Sequence, residues 1–206
     1  MLVADLVANG APRRSSTSAN NVAAMRIRHL DASDVSLIAH IDRSEHVDVQ
    51  YAARDGELVE APVLMEDNPT WPDDDSEHSI TKMLEFWTPI VEGAATLLGA
   101  FTDDELAGLA IVDPTFEPPL AWFALLHVSR PHRRTGAATA LWAEAARLAS
   151  DAGAASMYVS ATPTGSAVGF YLSQGCRLAD PVHPVLFERE PEDIHFVCEL
   201  RPPAGP

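Results

Sequence analysis

The chain has 206 residues, 47% hydrophobic and 21% charged, with 30 Asp and Glu against 14 Lys and Arg and a formal charge of −16. That length and balance describe one globular domain with an ordinary core, and the acidity excludes nucleic acid or an anionic membrane surface as the partner. No apolar run approaches the roughly 20 residues needed to span a bilayer, so a soluble, cytoplasmic protein is expected.

Residues 1–24 read as an N-terminal extension. Met1 to Ala8 is weakly apolar without a preceding basic residue, and Arg13 to Asn21 is polar, turn-rich and expected to be disordered. Met25 is itself a candidate start. Met25–Leu30 alternates as a first strand. Asp31, with Asp34 three residues on, opens a first helix whose apolar face is Val35, Leu37, Ile38 and Ile41. Val47–Ala53 and Leu58–Leu64 flank Asp55-Gly56, a hairpin signal. Asn68–Asp75 is a loop. Ser76 is placed to cap a helix running to about Val91, bent near Pro89.

Thr96–Phe101 and Leu106–Val112 read as strands joined by a Thr-Asp-Asp-Glu turn, with a loop over Pro114–Pro119. Ala121–Val128 is apolar apart from His127, as a central strand buried on both faces would be. A helix follows Gly136 and stops at Gly153. Ser156–Thr162 is a strand, Gly165–Ser173 a short helix ended by Gly175, and Leu186–Arg189 and His195–Leu200 are closing strands. Helices early, a meander, then strand–helix–strand–helix–strand make an α/β or α+β fold around one mixed sheet. Cys176 and Cys198 have no metal spacing. They read as small core residues of a protein from a reducing compartment. The eight histidines form no ligand pattern, so no metal is expected.

Two segments carry chemistry. The first is Arg133-Arg-Thr-Gly-Ala-Ala138, between the buried strand and the next helix. Gly136 lets the backbone approach a ligand. Backbone N–H groups from Arg133 through Arg134, Thr135, Gly136, Ala137 and Ala138 to Thr139 are placed to hold pyrophosphate oxygens. The two arginines add bidentate charge neutralisation. The second segment is Thr164 to Cys176, which carries the pair Phe170-Tyr171.

Together these segments resemble the GNAT superfamily of acetyl-CoA-dependent N-acetyltransferases. The family's Q/R-x-x-G-x-G/A signature is met as Arg133, Gly136 and Ala138; its N-x-x-A-x-x-F-Y-x-x-x-G-F signature is met as Thr164, Ala167, Phe170, Tyr171 and Gly175. Thr164 stands where Asn is usual and Cys176 where Phe is usual. Arg130, followed by Pro131, stands where the family commonly has proline. Asp180-Pro-Val-His-Pro and Glu190-Pro-Glu-Asp-Ile-His195 also look like a feature of some bacterial members, and the single lysine, Lys82, points to a GC-rich bacterial source.

The resemblance implies a single domain over 25–201, with a mixed, mostly antiparallel sheet of six or seven strands flanked by helices. It implies acetyl-CoA as co-substrate and no metal. The backbone around Leu126, His127 and Val128 would pair with the pantetheine arm, and Thr164 and Phe170 would lie beside it. Tyr171 would be the general acid for the departing thiolate. The base is left open between His127, Glu45, Asp42, His46 and a water relay. The acceptor is expected to be a small cationic amine such as an antibiotic or polyamine, with Trp71 and the acids Asp73–Asp75 and Glu77 as a faint cation site; those acids equally suit a helix dipole. A protein N-terminus or lysine, and a non-catalytic acyl-CoA sensor, are the alternatives, and monomer and homodimer are both compatible.

Overall fold

The structure is a computed structural model that describes residues 24–72, 76 and 79–200. The expected disordered extension, apart from Ala24, and the acids Asp73–Asp75 and Glu77 lie outside the described residues.

A seven-stranded sheet organises the fold. Its strands are β1 (Arg26–Leu30), β6 (Thr96–Thr102), β7 (Glu105–Glu117), β8 (Leu120–Val128), β9 (Ser156–Ala161), β11 (Ile194–Glu199) and β10 (Arg177–Leu178), side by side in that order. Every pairing is antiparallel except β8 with β9. A parallel pair needs a crossover, supplied here by α2 (Ala137–Asp151). Two cores form on the two faces. On one, α2 and α3 (Gly165–Ser173) cover Phe123, Met157, Val159 and Phe196. On the other, a 3₁₀ helix (Ala32–His40), α1 (Ile80–Glu92) and α4 (Pro184–Arg189) cover Leu109, Ile111, Trp122 and Tyr158. Outside the sheet, β2 (Glu45–His46) pairs with β5 (Asp67–Asn68), and β3 (Gln50–Arg54) with β4 (Glu57–Ala61).

Local chemistry explains the boundaries. Asp31 and Asp34 form the expected capping box, although the helix they open is 3₁₀. Asp55 and Gly56 both take positive φ, 52° and 78°, in the turn geometry that suits a two-residue hairpin. Asp103 and Asp104 do the same between β6 and β7, at 49° and 67°.

Five expectations need correction. Ser79, not Ser76, caps α1, accepting from the Lys82 N–H at 3.3 Å. The strand β7 runs on through Pro114 to Glu117 where a loop was expected; its register with β8 shifts between Asp113 and Glu117, which is how a proline fits into a strand. Residues Leu186–Arg189 lie in α4, not a strand: Pro184 stands in its first turn and the His183 ring accepts from the Leu186 N–H. The short strand β10 was not foreseen. Finally, Cys176 and Cys198 are both buried as expected but are joined in a disulfide, not held as thiols. The β10–β11 register explains the pairing. Arg177 faces Val197 and Leu178 faces Phe196, so the next step of the ladder sets Cys176 opposite Cys198.

Candidate active site

The site begins where two parallel strands part. β8 and β9 are paired at Leu120↔Ser156, Ala121↔Met157 and Trp122↔Tyr158, and no further. An extra residue, Ala124, interrupts the β8 register with β7 at that point. A bulge bends and twists its strand, here as β8 leaves β9. Beyond it β8 stays bound to β7 alone, as far as Gly108↔Val128. The Ser129 N–H donates to Ala107 O at 2.9 Å, toward β7. By alternation, His127 also directs its backbone to β7, whereas Leu126 and Val128 direct theirs into the split. Consistent with this, the Val128 carbonyl accepts from Arg133 Nε at 3.3 Å. Of the three backbone positions expected to meet a pantetheine arm, Leu126 and Val128 therefore face the opening.

Past the split the chain turns into α2. Gly136 takes φ 94°, and a Cβ there would meet nothing within 4 Å, so the turn is open on its outer side. The first bond of the helix runs from the Ala140 N–H to Gly136 O. The N–H groups of Ala137, Ala138 and Thr139 therefore precede any acceptor of their own helix. Arg134, Thr135, Gly136 and Thr139 are exposed beside them, and Arg134 itself has φ 65°. Partial positive charge and free donors converge on one open turn, which suits phosphate oxygens. Arg133 differs from its neighbour. Its guanidinium turns inward, donating to Arg43 O at 2.8 Å and lying 3.5 Å from Glu45, so it braces the turn against residues 43–45.

α3 brings Thr164, Phe170 and Tyr171 to the same face. Thr164 is buried as the cap of α3: its hydroxyl accepts from the Ala167 N–H at 3.4 Å and lies 3.1 Å from Ser166 Oγ. The strand β3 covers this corner through Tyr51 N–H to Pro163 O and Gly165 N–H to Val49 O, both 2.8 Å. Tyr171 is 6% exposed and packs against Trp142, Phe170, Phe123 and Phe196. Its hydroxyl makes no hydrogen bond among the described residues. Burial pushes its phenol above the ordinary value, and the nearby carboxylates of Asp193 and Glu190 push the same way, so the hydroxyl keeps its proton at neutral pH.

The opposite face of the split is lined by His127, Trp71 and Arg43. The His127 ring meets Trp71 edge-on at 5.4 Å, and the Arg43 guanidinium lies 4.6 Å over the indole. Burial, with Arg43 and Arg133 nearby, lowers the His127 pKa to about 4. The ring is neutral at pH 7, in surroundings that oppose its taking a proton. Trp71 is anchored by its N–H to Ile41 O at 2.9 Å, and its face already carries Arg43. Glu45 accepts from Ser166 Oγ at 2.8 Å as well as facing Arg133. Asp42 accepts from the Ser44 hydroxyl and N–H, which hold its carboxyl below the usual range. His46 pairs with Asp67 at 2.9 Å on the surface, and that contact raises its pKa. All three sequence-level alternatives to His127 are thus engaged in local structure. A cavity of about 350 Å³ lies beside them, lined by Glu45, Asp48, Tyr51 and Thr164 among others.

Two functional candidates were not singled out from the sequence. Glu190 and Asp193 lie in the loop between α4 and β11. The Ile194↔Ala161 pair sets that loop against the end of β9, at the mouth of the split. Burial raises both carboxyls, and Asp193 reaches about 7 with the negative charges of Glu190 and Glu192 adding to the effect. No spacing signal marks them, because their partners Ser160 and Tyr171 come from β9 and α3. Among the described residues no group of three His, Cys, Asp or Glu is placed to hold a metal.

The sheet split between two parallel strands, the open turn at the start of α2 and the buried Tyr171 of α3 lie where the two sequence segments predict a site. The chain belongs to the acetyltransferase (GNAT) family, whose model matches residues 61–176, more than half of its length. No curated protein sequence matches it. Among solved structures, a nourseothricin acetyltransferase is similar with a TM-score of 0.64 at 19% identity, over 86% of this chain and 99% of that one. A putative streptothricin acetyltransferase from Bacillus anthracis, in complex with acetyl coenzyme A, has the same TM-score, 0.64, at 14% identity over 86% and 99%. The ribosomal-protein-S18-alanine N-acetyltransferase from Escherichia coli is similar at 0.55 and 16% identity, over 88% and 97%. These likenesses bear out the mixed, mostly antiparallel sheet of six or seven strands that the resemblance implies, and the structure has seven. No helix among the described residues is long and apolar enough to cross a membrane.

Proposed function

We propose that the protein moves an acetyl group from acetyl-CoA to a primary amine of a small cationic acceptor, by direct transfer in a ternary complex. The observation that carries this reading is what gathers around the split: the backbone of Leu126 and Val128, the open turn at 134–139 beyond them, and Tyr171 of α3 packed on Phe123 of β8. The residues fit the co-substrate. The turn offers free N–H groups and the exposed Arg134 to a pyrophosphate, and the split offers an unpaired strand edge to an amide-bearing arm. When bound, acetyl-CoA supplies the activated acetyl thioester. The Val128 N–H stabilises the charge that develops on the carbonyl oxygen, a type of contact worth about 10²–10³ in kcat. Tyr171 donates its proton to the departing sulfur and is restored from solvent.

The acceptor class rests on charge and on the solved likenesses. The formal charge of −16 draws cations, and Glu190 and Asp193 put carboxylates at the mouth of the split. Two of the similar structures are named as acetyltransferases of nourseothricin and of streptothricin. Thiol release from acetyl-CoA, measured across nourseothricin, spermidine and a peptide with a free N-terminal alanine, tests the proposal. Release that depends on nourseothricin or spermidine is expected. Release with the peptide alone moves the acceptor to a protein terminus, and CoA binding without release on any amine makes the protein a sensor.

A further inference from the structure

In a chain with 30 acidic residues against 14 basic ones, a cation without a carboxylate partner calls for an explanation. Arg43 is such a cation. It lies between the 3₁₀ helix and β2, and its half-buried side chain stacks 4.6 Å over the Trp71 indole. Its Nε is buried and makes no hydrogen bond, and no carboxylate among the described residues pairs with the guanidinium. The nearest acids in sequence are turned away. Asp42 accepts from Ser44, and Glu45 accepts from Ser166 while facing Arg133. Trp87 and Trp122 also bury an unpartnered side-chain nitrogen, but both are neutral indoles packed in the core.

The guanidinium is held in place. Trp71 Nε1–H donates to Ile41 O at 2.9 Å, the Asp42 N–H to Ser129 Oγ at 3.1 Å, the Arg130 N–H to Asp42 O at 2.8 Å, and Arg133 Nη2–H to Arg43 O at 2.8 Å. These bonds fix the backbone of residues 41–43 against the end of β8, and stacking on the indole fixes the guanidinium plane. The same indole meets the His127 ring edge-on at 5.4 Å, and the Arg43 charge acts on that ring. His127 lies on the stretch of β8 beyond its last pair with β9, so the guanidinium stands beside the split. Trp71 packs with the core under the 3₁₀ helix, α1 and α4, whereas Leu126 and Val128 pack with the α2–α3 core. Arg43 is therefore on the face away from the open turn of α2. On the reading above, the pyrophosphate has its own donors at that turn, and Arg43 is left to the acceptor.

We propose that Arg43 holds a carboxylate of the acceptor, and that the acceptor is a basic amino acid, which offers an amine to the acetyl group, a carboxylate to the guanidinium and a net positive charge to this acidic protein. The inference deepens the acetyltransferase reading and rests on it. A guanidinium presents a planar fork of N–H donors that matches the two oxygens of a carboxylate. The surroundings leave one positive charge to balance, because Arg133 is met by Glu45 and the His127 ring is neutral at pH 7. A single carboxylate balances it. Burial pulls the Arg43 guanidinium below its ordinary value, yet an arginine stays charged through the neutral range, and a bound carboxylate offsets that burial. The formal charge of −16 favours an acceptor that keeps a second basic group.

The test compares amino acids with the amines that remain when the carboxylate is removed. Thiol release from acetyl-CoA is measured in the full chain with lysine and cadaverine, ornithine and putrescine, and arginine and agmatine, alongside nourseothricin, spermidine and the alanine peptide. In at least one pair the amino acid is expected to exceed its amine about 10–100-fold in kcat/KM, the range for hydrogen bonds to a charged group. Arg43→Gln is expected to bring that ratio near one. It should also weaken binding of the same amino acid to the CoA-loaded protein about 10-fold or more by calorimetry, with CoA affinity within about twofold of the wild type. A ratio of one or less in every pair overturns this inference alone. So does a ratio unchanged in Arg43→Gln, or turnover on nourseothricin, spermidine or the alanine peptide with none on the amino acids. CoA binding with no turnover on any of these amines overturns the transferase reading itself.

Discussion

The two faces of the split are built differently. On the face with α2 and α3, long regular elements place the working groups: the backbone of β8, the first turn of α2, and Tyr171 held in a cluster of aromatic rings. On the other face, a 3₁₀ helix, two-residue strands and the α4 loop are tied by single contacts such as Trp71 Nε1–H to Ile41 O and Asp42 N–H to Ser129 Oγ. On the proposed reading the first face holds its ligand through main-chain groups, so its requirements are for small residues, a glycine and strand position. The second uses side chains from separate segments. A co-substrate common to many enzymes suits the first construction, and an acceptor peculiar to one enzyme suits the second.

This contrast can be broken by substitution, beginning with the largest effect. Tyr171→Phe keeps the aromatic packing and removes only the hydroxyl. It should lower kcat by about 10²-fold while CoA affinity by calorimetry stays unchanged; equal kcat would remove Tyr171 from the chemistry. The disulfide joins the chain just past α3 to β11 within the core of the α2–α3 face. Reduction should lower stability by about 3 kcal/mol, the scale for a loop of this length. A urea midpoint indifferent to reductant would show that the cystine adds nothing.

Gly136→Ala confines its effect to the first face. Space is open around a Cβ, so its cost is the left-handed backbone alone, about 1–2 kcal/mol. It should weaken CoA binding and leave the acceptor KM unchanged. His127→Gln belongs to the second face and should alter kcat less than about threefold, because a ring with pKa about 4 is not the proton acceptor at pH 7. A further effect is on stability against pH. The folded Asp193 carboxyl, at about 7, holds its proton more tightly than the unfolded one, at 3.8. Stability from this group is therefore full below about 4 and lost as pH rises toward 7. Asp193→Asn should flatten the fall in Tm across that interval, and an identical slope in both proteins would place the carboxyl in water.

Sequence and structure agree best on the first face. The bounds Gly165–Ser173 for α3 and the stop of α2 before Gly153 follow from glycine and periodicity, both local signals. They agree least where a feature depends on a distant segment. The Cys176–Cys198 bond needs the β10–β11 register, and β10 is too short to show a period of its own. Pro114 reads in the sequence as the start of a loop, yet a register shift accommodates it within β7. Arg133 and Arg134 are adjacent and chemically alike, but only Arg134 is exposed beside the turn; Arg133 is claimed by Arg43 O and Glu45, ninety and eighty-eight residues away in sequence. The raised carboxyls of Asp193 and Glu190 leave no trace in their own spacing, because the Ile194↔Ala161 register that sets their loop against the end of β9 depends on a distant strand.

The most direct test of the account is stoichiometric. Purified protein is given acetyl-CoA and nourseothricin, and free thiol is measured alongside acetylated amine by mass spectrometry. The account predicts amine-dependent release of one thiol per acetyl group transferred, strongly reduced in Tyr171→Phe. Tight CoA binding with no amine-dependent thiol release, on nourseothricin, spermidine or the alanine peptide, would contradict it.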